Sequence, residues 1–430
     1  MQKITFKIYT LGCKVNQYDS GELARLLEQK SLELAEENAD IAIINSCAVT
    51  RSAIHKSKRM LNKARRENPK AKLVLLGCWP KVYENEVKKI KIDLVWQVGN
   101  LNKLADKISG FQIIKFKKPL NFKIKKSKNK KARYFLKIQD GCDQYCSYCI
   151  IPYARGRPKS RSQTDVIAEI KNAVNDGFRE IVLSGIHMGL YGKENNKRKI
   201  NDAKELLELI KKAVKIKNLG RIRLSSIEVT EVSDELLKFS LNNKKICNHF
   251  HLPLQSGSNK ILKKMNRPYT KEFYKKKISK IRSIDIYAAI STDVIVGFPG
   301  ETENDFKETY NLIKRIKFSK IHVFPFSRHE KTAAYKMSAQ VNSGVIKDRA
   351  KRLKILCVKV EKEYRESFVG RKVDAVIEKE LLIGEKNMSK KLFGKTEHYL
   401  NIIFQKKDII KYFEPKNIEN LIGKIVKIKI

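Results

Sequence analysis

Hydrophobic positions in the first hundred residues switch between two periods. Ile4, Phe6 and Ile8 alternate with polar residues, as in a strand with one buried face. Leu23, Leu26 and Leu27 then recur at helical spacing behind a start signal at Asp19-Ser-Gly-Glu22. A short apolar strand at Ile41 to Ile44, a basic helical stretch from Arg51 to Arg66 and another strand at Leu73 to Leu76 follow. This βαβ order predicts a parallel sheet.

Residues 115–133 break the pattern, being rich in Lys and free of acid, as in a basic linker. From Tyr134 to about Ser338 strand and helix patterns alternate again. Strands are predicted at Phe135 to Ile138, Ile181 to Ser184, Ile222 to Ser225, Phe250 to Pro253, Ile290 to Val296 and Ile321 to Phe324. Helical stretches between them, such as Thr164 to Asp176, Lys271 to Ser283 and Glu303 to Ile316, predict a partial (βα)6 barrel. The active site of such a barrel lies at the carboxyl ends of its strands. A charged helix, Gly344 to Ser367, leads to short strands at Lys372 to Glu378, Leu392 to Lys395, Tyr399 to Phe404 and Lys424 to Ile430, which suggest a small β-barrel. The expected fold class is α/β, divided as 1–114, a linker at 115–133, 134–365 and 366–430.

At 430 residues the chain exceeds one ordinary core. No apolar run approaches the roughly 20 residues of a membrane span. Met1-Gln-Lys-Ile-Thr-Phe-Lys lacks the apolar centre of a signal peptide, so a cytosolic location is expected. A net charge of +45 and a pI near 9.9 point to a polyanionic partner, nucleic acid first and an anionic membrane surface second. A lysine-rich solvated surface would also carry such charge.

In a reducing cytosol the eight cysteines are better metal ligands or catalysts than disulfides. Cys142, Cys146 and Cys149 form a CxxxCxxC loop directly after the first barrel strand. An iron-sulfur cube normally takes four cysteines, so three leave one iron open to a small ligand. A zinc site lacking its fourth ligand and a redox dithiol are the alternatives, although no second ligand pair follows. Cys13, Cys47 and Cys78 each follow a predicted strand of the first sheet. Carboxyl ends of parallel strands share one edge, so three cysteines distant in sequence are expected to meet as a second metal site, against the ordinary alternative of buried core cysteines. Cys247 and Cys357 read as structural, and the histidines form no ligand pair by spacing.

Asp140-Gly-Cys-Asp-Gln-Tyr-Cys-Ser-Tyr-Cys-Ile-Ile-Pro-Tyr-Ala-Arg-Gly-Arg157 resembles the radical S-adenosylmethionine signature of the methylthiotransferases. Leu11-Gly-Cys-Lys-Val-Asn-Gln-Tyr-Asp-Ser20 resembles their amino-terminal motif. His251-Leu-Pro-Leu-Gln-Ser-Gly-Ser258, Met265-Asn-Arg-Pro-Tyr-Thr270 and Asp293-Val-Ile-Val-Gly-Phe-Pro-Gly-Glu301 are similar to further family blocks, in the same order. The tail resembles the RNA-binding TRAM module. Cys13 to Tyr18, Ile150 to Arg157 and Ser184 to Gly192 most resemble the branch acting on N6-threonylcarbamoyladenosine in tRNA. Other branches act on an isopentenyladenosine of tRNA or on an aspartate of a ribosomal protein. Trp79-Pro80, after the third cysteine, departs from the expected small or polar continuation.

The resemblance implies that Cys142, Cys146 and Cys149 hold a [4Fe-4S] cluster whose open iron chelates S-adenosylmethionine, which one electron splits to a 5′-deoxyadenosyl radical. It implies that Cys13, Cys47 and Cys78 hold a second [4Fe-4S] cluster carrying the sulfur to be donated. One S-adenosylmethionine would methylate that sulfur, and a second would supply the radical acting at carbon 2 of the adenine. An electron donor and a sulfur source are expected as further partners. Cofactor contacts are expected from Tyr148, Ser184, Gly185, Glu228 and Gln255. Arg155, Arg157 and Arg161 are expected to meet a carboxylate or RNA phosphate, with a solvated basic turn as the alternative. The tail's Lys390, Lys391, Lys395, Lys406 and Lys407 favour RNA over protein as the electrostatic partner. A cluster-bearing RNA-binding module without catalysis is the alternative from another class.

Overall fold

Strand and helix periods alternate along most of the chain, and the elements follow them. The structure, a computed structural model, describes residues 3–111, 132–193, 200–383, 389–412 and 421–430. Most of the basic linker expected at 115–133 lies outside the described residues.

The first unit comprises β1 (Thr5–Thr10), α1 (Lys14–Gln29), β2 (Glu33–Leu34), β3 (Ile41–Ser46), α2 (Arg51–Glu67), β4 (Lys72–Gly77), α3 (Cys78–Val82), α4 (Glu84–Val87), β5 (Leu94–Trp96) and α5 (Leu101–Ser109). Its strands form a parallel sheet of order β2-β1-β3-β4-β5. Alternation sends Ala42, Ile44, Leu73 and Leu75 to one face and Phe6, Ile41, Ile43, Val74 and Leu76 to the other. Helices cover both faces, so β3 is buried throughout.

Helix α1 begins at Lys14, five residues before the start signal read at Asp19. Cys13 is its N-cap, in extended backbone. Asp19 and Ser20 are buried mid-helix and serve tertiary contacts: Asp19 pairs with Lys137 and Arg155, and the Ser20 hydroxyl accepts from Thr10 and Asn45. Helix α5 was not anticipated, yet Leu104, Ala105 and Ile108 make its buried stripe and the Asn100 side chain caps it by accepting from the Lys103 amide.

The second unit contains β6 (Tyr134–Asp140), α6 (Ile151–Arg155), β7 (Lys159–Ser160), α7 (Gln163–Asn175), β8 (Glu180–Gly185), α8 (Lys204–Ala213), β9 (Arg221–Leu224), α9 (Asp234–Asn242), β10 (His249–His251), α10 (Asn259–Lys264), α11 (Lys271–Ile284), β11 (Ala289–Val296), α12 (Glu303–Ile316), β12 (Lys320–Pro325) and α13 (Ser343–Glu366). Strands β6, β8 and β9 run parallel, as do β10, β11 and β12. The isolated parallel bridges Ile222 to Ile246 and Ser226 to His251 join the two sets into one curved wall of six strands. Its helix-facing side chains form the largest apolar core, including Leu136, Ile181, Ile222, Phe250, Ile290 and Ile321.

The last unit is antiparallel: β13 (Lys372–Ile383), β14 (Ser389–Thr396), β15 (Asn401–Phe404), β16 (Ile409–Tyr412) and β17 (Ile425–Lys429), in the order β15-β14-β13-β17-β16. The small β-barrel expected here takes the form of this sheet, and β16 is an addition to the strands read from sequence. A buried ionic joint fixes it to the six-stranded wall. Glu180, at the start of β8, accepts from Arg221 Nε at 2.7 Å and Arg223 Nε at 2.8 Å. The same two guanidinium groups donate to the carbonyls of Lys395 at 2.9 Å and Thr396 at 2.8 Å. Tyr399 stacks on His249 with ring centroids 4.3 Å apart.

Candidate functional site

Each cysteine of the first sheet stands at the carboxyl end of a strand because the chain turns there into a helix or loop. Cys13 precedes α1, Cys47 follows β3, and Cys78 opens α3 directly after β4. Glycines make the approach possible. Gly12 has φ +101° and no room for a side chain, since a Cβ there would come within 2.9 Å of the Cys47 Cβ. Gly77, at φ +104°, would put a Cβ 2.4 Å from the Ser46 carbonyl oxygen. The three thiols therefore share one edge: Cys13 is exposed, while Cys47 and Cys78 are buried. Burial pushes the Cys78 thiol up to about 12, opposed by the guanidinium of Arg155 beside it. Burial raises Cys47 as well, and the neighbouring Cys13 adds to that.

The loop after β6 holds the second set. Its path is pinned by backbone and side-chain bonds to the turn after α10: the Ser147 amide donates to the Met265 carbonyl at 3.1 Å and the Ser147 hydroxyl to the Lys264 carbonyl at 2.8 Å. Gly141, at φ +75°, lies so close to the Arg157 carbonyl that a Cβ would fall 2.1 Å from its oxygen. Burial raises the thiols of Cys146 and Cys149. A buried thiol with a raised pKa is a poor free nucleophile. Its deprotonation is driven by a bound metal, so these donors fit a cluster better than covalent cysteine catalysis.

Two buried cations face this loop, and neither was singled out from sequence. His187 Nδ1 lies 3.2 Å from Cys142 Sγ, with its Nε2 2.5 Å from Glu231 Oε1. Burial alone would lower the imidazole's pKa, but the Glu231 carboxylate and Cys142 hold it well above its ordinary value. Arg267 donates from Nη1 to Cys146 Sγ at 3.1 Å and pairs with Glu228 through its other nitrogen. Each of the two thiols thus meets a cation backed by a carboxylate, which offsets the negative charge of a thiolate-bound cluster. Glycine 189 packs against Glu231 so closely that a Cβ would overlap the carboxylate, 2.0 Å from Oε2.

The two cysteine sets are joined by a short stretch of chain. Helix α6 starts two residues after Cys149, packs against α3, and ends at Arg155. Burial opposes the charge of Arg155, but Cys78, Asp140, Asp19 and Cys13 hold its pKa well above the usual value. Its side chain is 1% exposed, bonding to Asp140 at 2.8 Å and Asp19 at 3.3 Å. Arg155 therefore spends its fork on internal carboxylates. Arg161 bonds to the Tyr18 hydroxyl at 2.8 Å and Glu169 at 2.7 Å, between α1 and α7, while Arg157 is exposed.

The other expected cofactor contacts are spread around the loop. Tyr148 packs against the apolar group of Ile261, Met265, Ile295 and Phe298. The buried Ser184 turns its hydroxyl to the Val182 carbonyl at 3.2 Å, and Gly185 lies against Gln139. Glu228 is engaged by Arg267, and Gln255 is buried in left-handed backbone at φ 62°. Cys247 and Cys357 are buried. Among the described residues no helix is long and apolar enough to cross a membrane.

Residues 136–313 match the Radical SAM superfamily, and residues 5–98 match the family described as "Uncharacterized protein family UPF0004". A Bacillus subtilis (strain 168) protein called threonylcarbamoyladenosine tRNA methylthiotransferase MtaB is 36% identical, covering 99% of this chain and 93% of its own length. The chain belongs to the methylthiotransferase family of radical S-adenosylmethionine enzymes. A Thermotoga maritima protein of the same name is 37% identical over 85% of each chain. A Thermoanaerobacter sp. (strain X514) tRNA-2-methylthio-N(6)-dimethylallyladenosine synthase is 36% identical over 88% of this chain and 83% of its own. Among solved structures, the radical S-adenosylmethionine methyltransferase TsrM from Kitasatospora setae shares the fold, with TM-score 0.57 and 15% identity over 78% of this chain and 77% of that one. Membership of the superfamily implies a [4Fe-4S] cluster and S-adenosylmethionine in this methylthiotransferase.

Proposed function

We propose that the chain adds a methylthio group to carbon 2 of N6-threonylcarbamoyladenosine, next to the anticodon of tRNA. Cys142, Cys146 and Cys149 would hold the cluster that binds S-adenosylmethionine, and Cys13, Cys47 and Cys78 a second [4Fe-4S] cluster bearing the sulfur. When bound, these groups supply the one-electron chemistry, the methyl group and the sulfur. The protein's part is to hold them, to offset their charge through His187 and Arg267, and to keep the loop dry. Tyr148 and Gln255 are the retained candidates for cofactor contacts; Ser184, Gly185 and Glu228 act as supports behind them.

The observation that carries this proposal is the link between the two cysteine sets. Helix α6 leaves Cys149, packs on the helix that Cys78 opens, and places Arg155 against Cys78. Two metal sites so joined suit a reaction in which a radical is made at one and sulfur is given by the other.

Lys14 supports the threonylcarbamoyl branch. It follows Cys13, and burial with the nearby cations Arg133 and Arg223 pushes its ammonium down to about 8. Lys395 is pushed down to about 8 in the same surroundings, also by burial first. Glu180 acts on both and Glu378 on Lys395, two carboxylates against the four cations Lys14, Arg133, Arg223 and Lys395, so positive charge is in excess. Such a surplus suits the carboxylate of a threonylcarbamoyl group and gives nothing to an apolar isopentenyl group.

The electron donor and the sulfur source are separate partners in this proposal, and the cytoplasm its place. Mass spectrometry of tRNA nucleosides from cells with and without the gene tests it. Loss of the methylthio form of threonylcarbamoyladenosine supports it. Loss of the methylthio form of isopentenyladenosine, or a changed ribosomal protein with unchanged tRNA, overturns it.

A further inference from the structure

Besides the six cysteines, two imidazoles and a carboxylate converge on the inner face of the curved wall. They stand on adjacent parallel strands: His251 on β10, Asp293 on β11 and His322 on β12. The register pairs His251 with Ser291 and Asp293 with His322. Side chains alternate along a strand. Phe250, Ile290, Val294, Val296 and Ile321 pack into the helix-covered core, which sends His251, Ser291, Asp293 and His322 to the opposite, concave face.

One ligand atom from each of His251, Asp293 and His322 lies within 4.8 Å of the other two. His251 Nε2 is 3.2 Å from Asp293 Oδ2. The other imidazole nitrogen, Nδ1, is 2.9 Å from the hydroxyl of the fully buried Ser291, which fixes the ring so that Nε2 faces the carboxylate. Ligating histidines are ordinarily oriented by such a bond from the far nitrogen. An isolated ion pair would account for His251 and Asp293 alone. His322, whose side chain makes no hydrogen bond among the described residues, is brought to the same point, its ring centroid 5.9 Å from that of His251 and tilted by 40° instead of stacked.

We propose that His251, Asp293 and His322 form a binding site for a divalent transition-metal ion of the zinc or iron(II) class. Two imidazoles and a carboxylate, with no thiolate, are the donor set such ions take, and three protein ligands leave positions open for water or a substrate oxygen. His322 is exposed, which gives the ion an entry path. The site uses none of the six cysteines, and its test does not depend on the reaction proposed above.

The test uses the full chain, prepared anaerobically with both cysteine sets loaded with iron, and dialysed against micromolar Zn2+. The expected result is one zinc per chain by elemental analysis, absent from His322→Gln and from Asp293→Asn, with the iron content of both variants unchanged. Ser291→Ala should retain zinc about tenfold more weakly. Zinc-edge X-ray absorption should find nitrogen and oxygen ligands at about 2.0 to 2.1 Å. Failure of the unmodified chain to retain zinc, equal retention by both ligand variants, or sulfur among the zinc ligands would each overturn the proposal. Zinc retention is read without turnover, so the outcome is distinguishable from failure of the methylthio-transfer proposal.

Discussion

The imidazole of His187 bridges Cys142 and Glu231, with Nδ1 3.2 Å from the Cys142 sulfur and Nε2 2.5 Å from the carboxylate. A cation donating to a cluster thiolate favours the reduced state, which carries the extra negative charge. A hydrogen bond to a charged group is worth about 1.5 to 3 kcal/mol, or about 60 to 130 mV for one electron. His187→Gln should therefore lower the reduction potential of the loop's cluster by up to this amount, since the bond is strengthened in the reduced state and weaker in the oxidised one. Electron paramagnetic resonance during a redox titration reads it; an unchanged potential would remove His187 from this role.

Cys13, Cys47 and Cys78 share an edge supplied by β1, β3 and β4, separate from the loop after β6. Replacing all three with Ala should reduce iron from about eight to about four per chain if each set holds one cube. S-adenosylmethionine binding should persist. Four irons in both the parent and the triple variant would rule out the second cluster.

Gly77 tests how closely β4 must approach β3. Its φ of +104° and the 2.4 Å distance from a built Cβ to the Ser46 carbonyl leave no space for a methyl group. Gly77→Ala should cost about 1 to 3 kcal/mol from backbone strain alone and displace Cys78 from Cys47. Iron bound by the first cysteine set should fall, as counted on a background lacking Cys142, Cys146 and Cys149, while the CxxxCxxC loop keeps its own on a background lacking Cys13, Cys47 and Cys78.

Glu180 is fully buried between Arg221 and Arg223. Burial alone would raise its carboxyl, but Arg223 and Arg221 hold it far below the usual carboxylate range. Its contribution to stability is therefore complete above the unfolded carboxyl's pKa of about 4.3 and is lost as the pH falls below that. Glu180→Ala leaves two buried guanidinium groups short of a partner and should cost about 3 to 5 kcal/mol. Denaturant midpoints at neutral and acidic pH check both statements: the parent should weaken on acidification more steeply than the variant.

Much of the architecture is legible in the sequence because burial imposes a period on each strand and helix. The six strands of the wall were each anticipated within a few residues. The start of α1 was misread because Asp19 and Ser20, good capping residues, are used instead for contacts with Lys137, Arg155, Thr10 and Asn45. Such partners are remote in sequence and leave no local signal. The same applies to the site. Cysteine spacing marks the loop, and strand ends bring out the other three thiols. His187, Arg267 and the convergence of His251, Asp293 and His322 depend on register between strands, which spacing along one strand does not encode. Arg155 looked like a surface fork because its sequence neighbours are basic or small; its acidic partners come from α1 and β6.

The joint at Glu180 also has a geometrical consequence. Because Arg221 and Arg223 donate to carbonyls of the last sheet from the wall that carries the cysteine loop, buried bonds tie the sheet to that wall. If the sheet binds the RNA, as its resemblance to the RNA-binding TRAM module implies, a nucleic acid held there keeps a fixed offset from the reacting centre. Choice of nucleotide then becomes a matter of length measured along the RNA, with the protein as ruler.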